Sequence, residues 1–454
     1  MSHVLEISPV TRHEGHSKLV LKIDNEGIIE RGDWVSITPV RGIERLAIGK
    51  PMESVPKIAS RVCGICPVVL SLASTESMEA SIRCYIPNNA RILRTILLYA
   101  NRLHNLALHN LLILPDFYLP CTDRKINPYS AEEPIRTATL RIQKLRQIGQ
   151  TIAGIVGGEA IHPSSVRIGG IRSNISRQAK DKISSLAKES IPLAREQMEF
   201  MVSVLRDFQG RDSISVGSQN VILPGNLGFH SQGYMATSPV YGSSSLDENP
   251  TWDPQRFTEV RPYDWYMGEV TVDVADPDYP FGGTSPVGTM ANPQTESCAA
   301  LPLYDGQPVE VGPRARSARF RGNAEKGTIG QHIARQLEYM DNVHTMTEFI
   351  DALNVQGKVL ADRIPDGDGS PGWALNEAPR GTNVHFARVK DGKVQSYSMI
   401  VPTTWNIPTA SLALRGAPWQ LAEMVVRAFD PCVSCATHML VIDQNGKTVE
   451  ERLV

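Results

Sequence analysis

The chain has 454 residues, of which 41% are hydrophobic and 21% are charged, and its formal net charge is -2. This composition is typical of a soluble globular protein, and a chain of this length can form two or three lobes or one large domain. Because 46 basic residues balance 48 acidic ones, nothing in the charge favours nucleic acid or an anionic membrane as partner.

The first forty residues have the pattern of strands. Residues 19–23 and 28–37 flank the turn-forming segment 24–27, which predicts a hairpin. From about Pro56 onward, apolar side chains recur at spacings of three and four residues. This period predicts helices over 68–83, 88–114, 134–155, 175–209, 328–355 and 417–429.

Residues 210–325 are rich in Gly, Pro and aromatic residues, and they predict loops and short strands that could face a partner. The chain then divides into one large domain over 1–438, with a β-rich segment at 1–55 and a loop and short-strand region at 211–325. The helical body would occupy 56–210 and 326–438. After His438, alternation around Asn445-Gly446 predicts a terminal hairpin or a surface tail.

Two further absences bear on location. No apolar run approaches the ~20 residues needed to cross a bilayer, so no transmembrane segment is expected. The N-terminus lacks a basic stretch followed by an apolar one, so we expect no signal peptide and a cytoplasmic protein.

The seven cysteines include two tight pairs, Cys63 with Cys66 and Cys432 with Cys435. An odd count with two such pairs argues against a secreted disulfide framework. Spacing alone leaves three interpretations: a structural zinc site, independent redox or buried thiols, and a redox-active metal such as nickel or an iron–sulfur cluster. A small zinc knuckle is excluded, because the pairs lie far apart in the chain. The remaining cysteines have no motif around them and are expected to be buried or incidental thiols: Cys84, Cys121 and Cys298.

The segments around both pairs resemble the signature motifs of nickel–iron hydrogenase large subunits. The first runs over 61–67 and the second over 430–438, and further matching segments follow the family's order at 12–16, 41–44, 162–163, 169–170 and 378–381. Within the family, the chain most resembles the subgroup that reduces coenzyme F420, an 8-hydroxy-5-deazaflavin. The segments that carry this closer match are 37–42, 241–246 and 418–420.

The resemblance implies an α+β fold, mostly helical, in which an N-terminal β-rich segment packs on a large helical bundle. The metal site would lie deep between the cysteine-bearing segments. Cys63, Cys66, Cys432 and Cys435 would hold nickel. Cys66 and Cys435 would also bridge to an iron that carries carbon monoxide and cyanide.

The resemblance further assigns catalytic roles to Glu14, Arg380 and Cys435. Arg380 would lean over the open metal position and Pro379 would shape the pocket wall, although the bare sequence allows a surface salt bridge for Arg380. Glu14 would pass protons outward from a cysteine thiolate. From the sequence alone it could equally pair with Arg12.

A second metal, magnesium or iron, is implied near the mature C-terminus, with Glu44 and His438 as ligands. His438 would also mark the cleavage position of a maturation endopeptidase, so that 439–454 would be a removable extension. His104, Asn105 and His109 lie in a region that lines the site in relatives. The two histidines could equally be core residues, and relatives often have Asp in place of Asn105.

The function implied is heterolytic cleavage of H2 into a hydride and a proton. The chain has no cysteines to spare for the clusters that would carry electrons away. We therefore expect an iron–sulfur small subunit and a flavoprotein subunit with FAD, which would reduce coenzyme F420. No dinucleotide-type glycine fingerprint is present, in agreement with a flavin bound elsewhere.

One position departs from the family pattern. Relatives continue the first motif with a histidine four residues after the second cysteine, where this chain has Leu70. That histidine would donate a hydrogen bond to a bridging sulfur, which leucine cannot do. Two alternatives therefore stay open: a divergent paralogue with reduced or no activity, kept for assembly or regulation, and a zinc-stabilised binding protein.

Overall fold

The computed structural model describes most of the chain. The described residues are 3–38, 43–118, 133–216, 219–225, 227–228, 233–236, 243–244, 257–260, 272–275, 284–287, 301–304, 309–322 and 324–436. Several predictions fall outside these ranges, namely those for His438, for the terminal hairpin, and for the thiols of Cys121 and Cys298.

The chain opens with a three-stranded antiparallel sheet that contains the predicted hairpin. Its strands are β1 (His3–Ile7), β2 (Ser17–Ile23) and β3 (Ile29–Ser36), with β2 in the centre. The predicted turn is present between β2 and β3. Its Asp24 accepts backbone hydrogen bonds at 2.9 Å from both Glu26 and Ile28, which fixes the hairpin register.

Four long helices build the main body and pack on one another: α4 (Asn88–Tyr118), α5 (Ile135–Gly157), α6 (Arg177–Gln209) and α8 (Gly327–Ala352). The helices in chain order are α1 (Ile43–Ala47), α2 (Val55–Ser60), α3 (Pro67–Ser81), α4 (Asn88–Tyr118), α5 (Ile135–Gly157), α6 (Arg177–Gln209), α7 (Pro313–Arg321), α8 (Gly327–Ala352), α9 (Pro402–Ala413), α10 (Ala422–Arg427) and α11 (Val433–Ala436). Five predicted helices are confirmed to within a few residues. The sixth, over 417–429, is a 3-10 turn at Trp419–Leu421 followed by α10.

In the part of the chain that the structure describes, none of the helices has the length and apolar character needed to span a membrane.

The segment 326–438, predicted to belong to the helical body, also contains strands that were not predicted. This segment contains three long antiparallel strands, β15 (Asp368–Ala378), β16 (Gly381–Lys390) and β17 (Lys393–Ile400). The short β9 (Ser243–Ser244) pairs with β15 as the fourth strand of their sheet. In β16, seven successive residues are buried, including Thr382 and Asn383. A strand covered on both faces does not alternate between polar and apolar residues, so its period is invisible in the sequence.

The other strands are short. They are β4 (Val166–Arg167), β5 (Gly170–Ile171), β6 (Ser213–Val216), β7 (Gln219–Ile222), β8 (Gly233–Tyr234), β10 (Phe257–Val260), β11 (Val272–Ala275), β12 (Thr284–Val287), β13 (Leu301–Tyr304) and β14 (Val309–Glu310). They pair two by two, and of these pairs only β8 with β14 is parallel. The division of the chain into segments around 211–325 stays a prediction.

The two ends of the chain meet in the core. Glu14 forms an isolated bridge to Cys432, and its carbonyl accepts a hydrogen bond from the amide of Val433 at 2.9 Å. One core cluster contains both cysteine pairs, residues of the N-terminal sheet and residues of α9 and α10. The fold therefore brings the two cysteine motifs to one place, as their resemblance to a shared metal site requires.

Candidate metal centre

Cys63 and Cys66 lie on the loop between α2 and α3. Pro67 follows directly as the first residue of α3, where its fixed φ suits a helix start and its missing amide hydrogen costs nothing. The loop turns its amide groups toward one sulfur. The backbone nitrogens of Ile65 and Cys66 lie 3.2 and 3.4 Å from Sγ of Cys63.

Cys432 and Cys435 follow α10. The turn into this segment passes through Asp430, whose φ of +52° is in the left-handed region that Asp and Asn tolerate better than most residues. The amide of Cys432 donates to Oγ1 of Thr403 at 3.0 Å, which ties the segment to α9. Cys435 then lies on the single turn of α11.

The four sulfurs form one compact cluster. Sγ of Cys432 lies 3.1 Å from that of Cys63, 3.1 Å from that of Cys435 and 3.8 Å from that of Cys66. All four cysteines are free and at most 8% exposed, and their sulfurs lie within 4.8 Å of one another. Two thiolates that bind one ion at a bond length of ~2.3 Å lie at most about 4.6 Å apart. The distances from Sγ of Cys432 to the other three sulfurs, 3.1 to 3.8 Å, are below that limit. The donor set therefore fits a soft metal ion held by four thiolates.

The thiols influence one another's protonation. Hydrogen bonds from Cys432 and then Cys435 lower the pKa of Cys63 well below its ordinary value. Burial is the main cause that raises the pKa of Cys435, and hydrogen bonding to Cys435 raises that of Cys432. Ionisation of the Cys63 thiol is thus favoured, whereas ionisation of the Cys432 and Cys435 thiols is disfavoured. Loading a metal onto four thiolates must therefore release protons.

Glu14 contacts this cluster directly. Its Oε2 accepts from Sγ of Cys432 at 3.2 Å and from the amide of Ser434 at 3.1 Å. The alternative pairing of Glu14 with Arg12 is not seen, because Arg12 bonds to Asp116 and the carbonyl of Leu112. The thiol that meets the glutamate is that of Cys432. The catalytic role assigned to Cys435 stays a prediction.

Arg380 is buried beside the same sulfurs, at 4% exposure, and is not a surface ion pair. Its Nε donates to the carbonyl of Asp430 at 2.6 Å and its Nη2 donates to Oδ1 of Asp430 at 3.0 Å. Its Nη1 donates to Oδ1 of Asn105 at 2.8 Å. Burial would lower the pKa of Arg380, but Asp430, followed by Cys432 and Cys66, raises it above its ordinary value. The guanidinium is therefore a fixed cation at the edge of the cluster.

Asn105 uses both ends of its amide. Its Nδ2 donates to the carbonyls of Asn101 and Ile65 at 2.7 and 3.0 Å, so its oxygen must face Arg380. It thereby connects α4, the first cysteine loop and the arginine. The amide nitrogen meets two carbonyl oxygens, a contact that an aspartate could not make.

A small cavity lies against three of the sulfurs. The side chains that line it include Leu70, Pro379, Arg380, Asn383 and Thr403. Leu70 stands one helical turn after Cys66, is 1% exposed, and presents an apolar wall. At this position the pocket contains no hydrogen-bond donor to sulfur.

Three further residues that the sequence analysis singled out are Glu44, His104 and His109. Glu44 on α1 accepts from the amide of Met399 at 2.7 Å, and its proposed co-ligand His438 lies outside the described residues. His104 is buried, and burial lowers its pKa to about 4. His109 is buried as well and reaches Asp430, the carboxylate that holds Arg380.

Sequence reasoning missed the part played by Asp430. This residue is the first of the second cysteine motif, two positions before Cys432, and that position could have indicated that Asp430 lies close to the cluster. Burial would raise the pKa of Asp430, yet Arg380 and His109 hold it well below its ordinary value. It is therefore a charged residue enclosed in the core.

Comparison with known proteins agrees with this geometry. A family model described as nickel-dependent hydrogenase matches residues 41–118 and 318–438. The coenzyme F420 hydrogenase subunit alpha of Methanosarcina barkeri is 63% identical over 454 residues, and the alignment covers 100% of both chains. The chain belongs to the nickel-dependent hydrogenase family. The corresponding subunit of Methanothermobacter thermautotrophicus is 38% identical, with 99% of this chain and 98% of that one covered.

Solved structures support the same fold. The nickel–iron–selenium hydrogenase of D. vulgaris Hildenborough superposes with a TM-score of 0.75 at 21% identity, covering 96% of this chain and all of that one. An NAD+-reducing nickel–iron hydrogenase gives a TM-score of 0.75 at 23% identity, with coverage of 96% and 99%. The expected hydrogenase large-subunit fold is confirmed. This hydrogenase subunit is thus part of an oxidoreductase that acts on H2, and an unrelated zinc-stabilised binding protein is excluded.

Proposed function

We propose that this hydrogenase chain is the catalytic large subunit of a complex that reduces coenzyme F420 with electrons from H2. The observation that supports this best is a four-cysteine cluster flanked by Glu14 and Arg380, in a chain 63% identical to a coenzyme F420 hydrogenase alpha subunit. The half-reaction is H2 → 2 H+ + 2 e−, and the two electrons leave for the acceptor.

Four cysteines would hold the metals. Cys63 and Cys432 would be terminal nickel ligands, and Cys66 and Cys435 would bridge nickel to an iron with carbon monoxide and cyanide ligands. When bound, such a centre supplies a low-charge, thiolate-rich metal pair with an open position at which H2 is polarised and split. The protein fixes the four sulfurs and keeps them buried, which excludes bulk water from the site.

Glu14 would move the proton. Its oxygen lies 3.2 Å from Sγ of Cys432, within reach of direct transfer from sulfur to carboxylate. The amide of Ser434 donates to the same oxygen and holds it in place. The proton can then leave Cys432 through Glu14 without crossing the cavity.

Arg380 would supply fixed positive charge. Asp430 and Asn105 hold its guanidinium with three hydrogen bonds, so it costs little reorganisation when charge develops during the reaction. Thr403 and Pro379 complete the wall of the same cavity.

Partner subunits would carry the electrons onward. Four of the seven cysteines belong to the cluster, so three remain, which is too few for a cluster held by four cysteines. An iron–sulfur small subunit and an FAD-containing subunit are therefore proposed. We also propose that Glu44 and His438 bind magnesium or iron, and that an endopeptidase removes 439–454 during maturation.

Purification of the complex tests this function. We expect nickel and iron in the preparation, infrared bands of iron-bound carbon monoxide and cyanide, and H2-dependent reduction of coenzyme F420. Reduction of NAD+ or a viologen dye under H2, with no reduction of coenzyme F420, would contradict the proposed acceptor. A preparation that contains zinc and no nickel would contradict the whole proposal.

A second candidate rests on Leu70. Its apolar wall at the cavity favours a paralogue with reduced activity, kept for assembly or regulation. Nickel and normal infrared bands without H2 uptake would support this candidate over the first.

A further inference from the structure

A buried histidine contacts the carboxylate that holds Arg380. His109 lies on α4, and its Nδ1 is 3.0 Å from Oδ1 of Asp430. Its Nε2 is 3.1 Å from Nη1 of Arg335 on α8. A guanidinium can only donate, so Nε2 must accept, and the ring proton of the neutral imidazole must sit on Nδ1. His109 therefore donates to Asp430.

The surroundings keep this ring neutral. Burial lowers the pKa of His109 to about 4, although Asp430 acts in the opposite direction. The side chain is 2% exposed and stacks on His332, with ring centroids 5.5 Å apart and planes at 24°. At neutral pH it is an uncharged donor of one tautomer and one ring orientation.

This donor fixes the carboxylate. The last torsion of an aspartate side chain is broad and weakly restrained by itself. Oδ1 of Asp430 lies 3.0 Å from both Nδ1 of His109 and Nη2 of Arg380, and it accepts from each. The ring of His109 thus restrains rotation of the Asp430 carboxylate, which accepts the hydrogen bond from Arg380.

We propose that His109 is a positioning residue for Arg380, acting by donation from Nδ1 to Asp430, with Arg335 setting the tautomer. The inference rests on the proposed function, because it takes Arg380 to act beside the four thiols. His109 itself touches no sulfur among the contacts of the described residues, so its effect must pass through Asp430.

Two variants of equal shape test the proposal. In His109→Asn the amide nitrogen can replace Nδ1 as donor to Asp430, whereas His109→Leu has nearly the same shape and no donor. In the purified complex, we expect His109→Leu to lower kcat for H2 oxidation by about tenfold or more. Its nickel content should stay unchanged, and the infrared bands of the iron-bound ligands should shift. His109→Asn should keep most of the kcat and the wild-type band positions.

A matched control comes from His332→Phe. It preserves the ring stack on His109, and both ring nitrogens that it removes are buried without a hydrogen-bond partner. We expect wild-type kcat and wild-type bands from it.

Two results would overturn the positioning role. One is His109→Leu with kcat within about twofold of wild type and unshifted bands. The other is His109→Asn as impaired as His109→Leu, which would place the effect in packing or in the contact with Arg335. If the wild-type complex itself oxidises no H2, the proposed function fails separately. The nickel electron paramagnetic resonance signal then tests the positioning role of His109. Of the three variants, only His109→Leu should change this signal.

Discussion

Gly15 stands where the two ends of the chain meet, so Gly15→Ala tests how closely they must approach. Its φ is +83°, and an added Cβ would lie 2.7 Å from the amide nitrogen of Ser434 and 2.9 Å from Cβ of Val433. The left-handed backbone alone costs a residue with a Cβ ~1–2 kcal/mol. Relief of the contact requires the two segments to separate by roughly 0.7 Å, at an overpacking cost of ~1–3 kcal/mol.

Gly416→Ala is the control that isolates backbone strain. Gly416 has a φ of +80°, and an added Cβ would meet nothing within 4 Å. We expect it to lose about 1–2 kcal/mol of unfolding free energy, whereas Gly15→Ala should lose about 2–5 kcal/mol. Thermal unfolding of the two variants, measured in parallel against wild type, gives the comparison.

The same separation should affect activity. A shift of this size would take Glu14 out of hydrogen-bond reach of Cys432, which now lies at 3.2 Å. A misplacement near 1 Å can cost about a hundredfold in rate, so we expect Gly15→Ala to lose roughly tenfold or more of H2 uptake. Gly416→Ala should retain it. Equal unfolding temperatures and equal H2 uptake in the two variants would refute the reasoning.

Three further predictions concern the pocket. Asn105→Asp removes the Nδ2 donor to the carbonyls of Asn101 and Ile65 and sets a carboxylate oxygen against them, so it should lower the unfolding temperature, at a cost of ~1–3 kcal/mol in calorimetry. An unchanged temperature would mean that the amide orientation is not required. If Leu70 limits the rate, Leu70→His should increase H2 uptake and shift the infrared bands of the metal centre; unchanged rate and bands would contradict that limit. The pKa values of His104 and His109 are both lowered to about 4, against about 6.5 in an unfolded chain. Both rings are then neutral in the native state, and stability should be full above about pH 6.5 and fall as the pH drops toward 4. Unfolding midpoints that stay constant from pH 7 to pH 4.5 would argue against buried neutral rings.

Much of the site could be predicted because its ligands come in short local motifs. Cys63 and Cys66 lie in one short segment, and Cys432 and Cys435 lie in another, so their spacing and neighbours are visible in the sequence. The pairing of Glu14 with one particular sulfur is different. It depends on how the N-terminal segment bridges to Cys432, and no local pattern shows that register.

The missed features share a physical cause. The first seven residues of β16 and the second halves of β15 and β17 are buried, and polar residues there bond within the core, so the sequence offers neither alternation nor an apolar run. Asp430 and Arg380 are fifty residues apart, and their contact is created only when the turn between β15 and β16 meets the segment that follows α10. Local periodicity carries no information on such contacts between distant segments.

The burial of Arg380 is best understood together with the charge of the cluster. Replacing a buried ion pair with apolar residues is often neutral or stabilising, so stability alone does not explain why a guanidinium is kept in this core. Among the described residues, the carboxylate of Asp430 alone contacts this guanidinium, and Arg335 lies close enough to lower the pKa of the neighbouring His109. The thiolates of Cys432 and Cys66 also raise the pKa of Arg380, which means that the sulfur cluster helps to stabilise its charge. Deprotonated cysteines and a buried arginine therefore favour each other. We accordingly expect the cation of Arg380 to serve the proposed metal centre more than the fold.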